Sequence, residues 1–71
     1  MTNIEAVSNV LKEVNCQTSN QIAVLAKIWY DYDMTVSQVA GALRSLARSD
    51  KICSSNCGNG KTVYWLKERE V

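Results

Sequence analysis

The sequence predicts an α+β fold in which three helices are followed by a β-hairpin. A segment with helical periodicity, residues 35–48, is followed at once by a turn-rich apolar segment, residues 52–66. Two earlier apolar stripes at helical spacing each follow a Thr with Glu or Gln three residues later, which is a signature of helix starts. The predicted order is therefore helix, helix, helix, strand, strand.

Length and composition exclude several classes of protein. With 71 residues, of which 46% are hydrophobic, the chain is expected to form one domain over residues 1–71, with a charged tail over 67–71. It has no basic stretch before an apolar run and no run of about 18 apolar residues, so we expect neither a signal peptide nor a membrane span. The odd number of cysteines, three, favours reduced thiols in a cytoplasmic protein.

Capping boxes begin the first two predicted helices, at Thr2-x-x-Glu5 and Thr18-x-x-Gln21. The first helix is predicted over about residues 3–14, and its inward stripe is Ile4, Val7, Leu11 and Val14. One face of the second helix holds Ile22, Leu25, Ala26 and Trp29, and a different face holds Val24 and Ile28. A helix that is apolar on two faces either is central to the core or carries a second contact surface, and both interpretations stay open.

The third helix is predicted to begin after the connection at residues 30–33 and to end at residues 49–51. Thr35 is its expected N-cap, with Ser37 as the alternative. The side chains expected to face inward are Val36, Val39, Leu43, Leu46 and Ala47. The outward positions are Ser37, Gln38, Gly41, Ala42, Arg44, Ser45 and Arg48. Because a mid-helix Gly costs up to about 1 kcal/mol against Ala, we expect Gly41 to serve a close helix crossing; an approaching ligand backbone is the alternative.

The hairpin is expected to pair Thr62–Leu66 back onto Ile52 and Cys53, with residues 54–60 as the turn. A short additional strand is expected near residues 16–18. The charged residues 67–71 are expected to fray, as chain ends commonly do.

Several parts of this frame carry a resemblance to a known family. They are the segment TSNQIA at residues 18–23, then Val39, Leu43 and Leu46, then Lys51 and Ile52, and finally Tyr64, Trp65 and Leu66 after a loop of Gly and Asn. Over residues 18–66 the chain resembles winged helix-turn-helix domains. It looks most like small bacterial regulators of fimbrial operons, and it is also similar to Zα domains, which bind left-handed nucleic acid.

Two positions depart from these patterns. Asp50 stands where the winged-helix frame usually has Gly. Ala40 and Arg44 stand where the Zα pattern has Asn and Tyr, so only Trp65 carries over from that pattern.

The resemblance implies a transcriptional regulator whose third helix enters the major groove of duplex DNA. Gln38 could then read adenine, while Arg44 could read guanine or hold a phosphate. Lys61, with Asn56 and Asn59, could grip an adjacent phosphate from the hairpin. The candidate DNA-binding residues are Ser37, Gln38, Arg44, Ser45, Arg48, Lys61 and Trp65. The alternative is a solvated helix face with two scattered arginines, and the net charge of only +1 requires that any attraction be local.

Metal binding and catalysis are not expected. The spacing Cys53-x-x-x-Cys57 is similar to the cysteine-bearing hairpin of small ferrous-iron-transport regulators, but the chain has too few cysteines and no His to complete a site. A disulfide between Cys53 and Cys57 remains an alternative. Without His, and with Asp31 and Asp33 beside no evident nucleophile, we expect no enzyme, no cofactor and no small-molecule substrate.

A protein-interaction module is the competing function. Val24, Ile28, Tyr30 and Tyr32 are expected to form a surface for a homodimer or a protein partner, because interfaces favour large apolar and aromatic anchors. In this interpretation Trp29 lies in the core and at least one of Tyr30 and Tyr32 is exposed. The protein would then be a winged-helix adaptor or inhibitor, phage- or plasmid-encoded, that does not bind DNA.

Overall fold

Three helices and an antiparallel hairpin form in the order that the sequence predicts. A computed structural model describes residues 1–56, 58 and 60–69. The helices are α1 (Asn3–Glu13), α2 (Ser19–Tyr30) and α3 (Val36–Arg48), the strands are β1 (Ile52–Asn56) and β2 (Thr62–Leu66), and a 3-10 turn spans Lys67–Arg69. The predicted α+β class is confirmed. No helix in this part of the chain combines the length and apolar character needed to cross a membrane.

Each helix begins with a complete capping box. Thr2, Thr18 and Thr35 each accept a hydrogen bond at the side-chain oxygen from the amide three residues later. The side chain at that later position accepts from the Thr amide in return. The third amide of each helix, which lacks a partner inside the helix, and the amide of the capping Thr are thereby hydrogen-bonded locally. The N-caps predicted at Thr2, Thr18 and Thr35 are confirmed.

The core lies where the three helices meet one face of the hairpin. Its buried side chains are Ala6, Val7, Val10, Leu11, Ile22, Ala26, Val39, Ala42, Leu43, Leu46, Ile52 and Leu66. The inward positions predicted for Val7, Leu11, Val39, Leu43 and Leu46 are therefore confirmed.

Some positions near the helix ends differ from the predicted stripes. Ile4 and Val36 are 42% and 46% exposed, although both were expected to face inward. Each lies in the first turn of its helix, and helical side chains point toward the N-terminus, so these two project past the core. Ala47 is also exposed. Ala42, predicted to face outward, is buried because it is three residues after Val39 and four before Leu46.

The aromatic residues at the end of α2 are placed opposite to expectation. Trp29 is 41% exposed, whereas Tyr30 and Tyr32 are half-buried against the core. The Tyr32 hydroxyl donates to Asn3 Oδ1 at 2.6 Å, and the Tyr30 hydroxyl donates to the Asn9 carbonyl at 3.4 Å. The expectation of a core Trp29 and an exposed Tyr is wrong, because α1 offers both phenols a polar partner inside the packed region.

The two strands of the hairpin pair in regular register over all five residues of each. The predicted pairing of Thr62–Leu66 with Ile52 and Cys53 is confirmed, with Ile52 opposite Leu66 and Cys53 opposite Trp65. Strand β1 continues to Asn56, which is farther than predicted. The expected additional strand is reduced to a single bridge. Gln17 and Tyr64 exchange two backbone hydrogen bonds there, of 2.9 and 3.1 Å.

The segment after β2 is held rather than frayed. Lys67 Nζ lies 2.7 Å from Asp50 Oδ2, and the Lys67 amide donates to the Lys51 carbonyl at 3.0 Å. The prediction of a frayed tail is therefore wrong for Lys67, and residues 70–71 lie outside the described residues. Asp50 has a φ of +58°, a left-handed conformation that Gly adopts more readily than Asp.

Gly41 does not serve a close helix crossing. A Cβ placed on it would meet nothing within 4 Å, so the packing explanation is wrong. The other explanation, an approaching ligand backbone, stays open.

Candidate nucleic-acid interface

The outward face of α3 presents four residues at helical spacing. Ser37, Gly41, Arg44 and Arg48 follow each other by four, three and four residues, so they line one side of the helix. This side is opposite the buried stripe that contains Val39 and Leu46. Ser37, Arg44 and Arg48 are exposed to solvent. The sequence therefore folds α3 so that its two arginines share the face farthest from the core.

These arginines are available for an external anion. Neither Arg44 nor Arg48 forms an ion pair with any residue that the structure describes. Elsewhere the ammonium groups of Lys27 and Lys67 are paired with aspartates. Among these four basic residues, the positive charge without an ion-pair partner therefore lies on α3.

The near-neutral net charge conceals an uneven distribution. Residues 34–67 contain five basic side chains and one acidic side chain, Asp50. Residues 1–33 contain two basic and four acidic side chains. The half of the chain that forms α3 and the hairpin is therefore positive. This asymmetry was not predicted, although counting charge along the chain reveals it.

Gln38 and Ser45 lie beside the arginine face, and their side chains differ in how available they are to contact DNA. Ser45 is exposed. Gln38 Oε1 accepts the Thr35 amide at 2.9 Å as part of the capping box. A bidentate contact to adenine uses both the oxygen and the nitrogen of the amide, so Gln38 would have to leave the cap to make it.

The hairpin tip and the helix starts enclose a groove of about 500 Å³. Lys61 lies on the hairpin side of the groove, together with Gly60 and Thr62. The first residues of α2 and Val36 of α3 form the other side. The structure thus brings Lys61 to the same end of the molecule as the start of α3. Asn59, named with Lys61 as a phosphate contact, lies outside the described residues, and Asn56 accepts a hydrogen bond from the Gly58 amide.

Trp65 is not brought together with this groove. Tyr64 lines the groove and packs against the core. Successive residues of a strand point to opposite faces, so Trp65 lies on the sheet face that is turned away from the core, opposite Cys53. Trp65 is half-buried and does not line the groove.

The thiols and carboxylates form no evident metal centre in the described part of the chain. No group of three or more potential metal ligands occurs there. Cys16 is an exposed free thiol, Cys53 lies in β1, and Cys57, the other half of the proposed Cys pair, lies outside the described residues. Asp31 and Asp33 contact Lys27, and their hydrogen bonds, first Asp31 and then Asp33, raise the pKa of the Lys27 ammonium.

A separate apolar surface lies on α2. Val24 and Ile28 are one turn apart and 55% and 68% exposed, and Trp29 lies beside Ile28 in sequence. Because Tyr30 and Tyr32 are packed against α1, the contact surface predicted from the four residues is reduced to Val24 and Ile28, with Trp29 in place of the tyrosines.

Three helices with a charged outer face on the third, followed by a β-hairpin, define a winged helix. A solved structure supports this assignment. The peroxide stress regulator of Campylobacter jejuni superposes with a TM-score of 0.78 at 22% sequence identity, over 96% of this chain and 50% of that chain. The chain therefore spans about half the length of that regulator. No protein-family model and no curated protein sequence matches the chain.

Proposed function

We propose that the protein is a transcriptional regulator that binds duplex DNA through α3 and the wing, as β1, β2 and their connecting tip are called below. The observation that carries the proposal is the pair of exposed arginines, Arg44 and Arg48, on the outer face of α3 with no acidic partner among the described residues. The similarity to a bacterial stress regulator supports a regulatory role, but it does not indicate which signal this chain would respond to. The expected compartment is the cytoplasm.

The expected mode of binding follows from the geometry of the face. Arg44 and Arg48 would contact base edges or phosphates of one major groove, with Ser37 at the start of the helix near a backbone phosphate. Gly41 stands between Ser37 and Arg44 and has open space above its Cα, which leaves room for the DNA backbone to approach. Lys61 would add a phosphate contact from the wing.

A salt titration with random-sequence duplex DNA tests the proposal. Replacing Arg44 and Arg48 together with Ala should weaken binding and lower the slope of log affinity against log salt by up to about two, since each phosphate contact contributes about 0.9. The matched control is the double variant Lys12→Ala and Lys27→Ala, which removes the same charge from α1 and α2. Equal binding by the arginine variant and the wild type would show that α3 does not contact DNA.

A second candidate function is a protein-interaction module. The observation that favours it is the exposure of Val24 and Ile28 on α2, in a chain too small to bury both faces of that helix. This candidate predicts no binding to random duplex DNA even at low salt. It also predicts that Ile28→Glu abolishes whatever protein contact the chain makes while its folding is unchanged.

A further inference from the structure

The hydrogen-bonding directions along the wing identify an open sheet edge. Tyr64 directs both its amide and its carbonyl to Gln17, at 2.9 and 3.1 Å. Adjacent residues of an extended strand direct their backbone groups to opposite sides. Val63 and Trp65 therefore bond toward β1, where the register places Ser55 and Cys53 opposite them.

The outer edge of β1 follows from this alternation. Cys53 and Ser55 bond inward to β2, so Ile52, Ser54 and Asn56 direct their amides and carbonyls away from the sheet. Lys51 and Lys67, the pair that follows Ile52 and Leu66, fit the same alternation. They bond toward each other, since the Lys67 amide donates to the Lys51 carbonyl at 3.0 Å. Within the described residues, the outward amide and carbonyl of Ser54 have no hydrogen-bond partner.

Residues 53–56 of this edge lack three features that commonly protect an open strand. Natural sheet edges are commonly protected by Lys, Pro or a bulge. Here Cys53, Ser54, Ser55 and Asn56 are uncharged, and all five pairs of the β1–β2 register are in regular succession. Ser54, Ser55 and Asn56 are exposed. The edge is thus open to another strand.

We propose that β1 pairs antiparallel with β1 of a second copy of the chain, about a two-fold axis at Ser54. The axis places Ser54 opposite its own copy, with both amides and both carbonyls directed at each other, so two hydrogen bonds form at the centre. Ile52 and Asn56 of opposite copies make the flanking pairs, and Cys53 lies opposite Ser55. The two hairpins become one four-stranded sheet.

A second copy fits this edge better than a foreign peptide. Peptides that add to a sheet edge gain specificity from pockets that receive alternate side chains. The side chains along this edge are small and offer no such pocket, whereas pairing with an identical strand brings together small neutral groups without like-charge repulsion.

The dimer also suits the proposed binding of DNA, although it does not depend on it. A two-fold axis between antiparallel neighbouring strands is perpendicular to the sheet, so both cores lie on the same side of the joined sheet. Both copies of α3 would therefore lie on that side, as a regulator that recognises a palindromic site needs.

Sedimentation equilibrium of the full chain from micromolar to millimolar concentration tests the proposal. We expect a monomer–dimer equilibrium that Ser54→Pro weakens at least tenfold. Pro at this position removes only an outward amide and leaves the β1–β2 hydrogen bonds intact, and edge strands tolerate it for that reason. A wild type that remains monomeric over the whole range, or a folded Ser54→Pro variant that associates as the wild type does, overturns the proposal.

A second variant tests the pairing of the two β1 strands if Ser54→Pro does not fold. Ser54→Lys keeps every backbone group and places two like charges opposite each other at the axis, so it should weaken association, and added salt should relieve part of the effect. The matched control is Asn15→Lys, which adds the same charge to an exposed loop and should leave association unchanged. Equal association of the two variants overturns the proposal.

DNA titrations separate this inference from the proposed function. Loss of DNA binding in the Arg44 and Arg48 variant with dimerisation intact supports both. DNA binding by a protein that stays monomeric, weakened by Ser54→Pro, would assign the edge to DNA and overturn the dimer alone. An arginine variant that binds DNA as the wild type does contradicts only the proposed function.

Discussion

At the scale of single residues, a hydroxyl group decides which aromatic side chain closes the core at the end of α2. Tyr32 reaches Asn3 Oδ1 at 2.6 Å, whereas the Tyr30 hydroxyl lies 3.4 Å from its acceptor. The shorter hydrogen bond should contribute more to stability. Tyr32→Phe is expected to lower the free energy of unfolding by about 0.5–1.5 kcal/mol, and Tyr30→Phe by less. Urea unfolding of the two variants measures the difference, and a larger loss for Tyr30→Phe would contradict it.

Gly41 provides a second test at this scale. Nothing lies within 4 Å of a Cβ added at this position, so Ala would gain helix propensity without a clash. Gly41→Ala is expected to raise the free energy of unfolding by up to about 1 kcal/mol. If DNA approaches α3 closely at this residue, the same variant binds duplex DNA more weakly although it is more stable. Destabilisation of the unbound protein would show that the space is not open.

Spacing alone did not predict the exposure of individual side chains. The stripe rule identified Val39, Leu43 and Leu46 correctly because they lie in the middle turns of α3, where a neighbouring element covers the whole face. It failed for Val36, which lies in the first turn. It also failed for Trp29, because spacing carries no information on which aromatic residue finds a polar partner. These outcomes depend on tertiary contacts.

At the scale of elements, the apolar stripe of α3 should provide much of the stability of the fold. Leu43 is 2% exposed and lies at the centre of this stripe. Leu43→Ala is expected to lower the free energy of unfolding by roughly 2–5 kcal/mol, which could unfold so small a domain. The control is Val36→Ala on the same helix, which should change it by less than about 0.5 kcal/mol. Thermal and urea unfolding would reveal the contrast, and similar losses for the two variants would contradict the placement of the stripe.

The turn between α3 and β1 combines a strained backbone conformation with an ion pair. Asp50 has a φ of +58° and contacts Lys67 at 2.7 Å. Both Asp50→Gly and Asp50→Ala remove the exposed ion pair, but only Gly adopts this conformation freely. The Ala variant should therefore be less stable than the Gly variant by about 1–2 kcal/mol. Equal stabilities would show that the turn adopts a different conformation.

Element order and boundaries were largely predictable because they rest on local chemistry. The three helix starts were predicted from the sequence, because each is marked by a Thr that caps its own helix, at Thr2, Thr18 and Thr35. The end of β2 at Leu66 was predicted correctly, but the ion pair that holds Lys67 was not predicted. That anchor depends on Asp50, 17 positions earlier, and no local pattern reports such a pairing.

At the scale of the whole molecule, charge and apolar surface are segregated. The five basic residues of residues 34–67 lie in α3, the wing and the turns beside them, while Val24 and Ile28 expose apolar surface on α2. Arg44, Arg48 and Lys61 and the apolar pair on α2 were singled out from the sequence, but the excess of positive charge in residues 34–67 was not. The open edge of β1 could not be found from the sequence, because it depends on the bridge between Gln17 and Tyr64.

The α2 surface and the β1 edge give opposite expectations for one variant. Ile28 is 68% exposed and away from the wing, so Ile28→Glu should change the free energy of unfolding by less than about 0.5 kcal/mol. If copies of the chain pair through β1, this variant should also sediment as the wild type does, while Ser54→Pro does not. Sedimentation of both variants at matched concentrations makes the comparison. A dimer that is lost in Ile28→Glu and kept in Ser54→Pro would place the interface on α2, where exposed apolar side chains rather than backbone hydrogen bonds would hold the copies together.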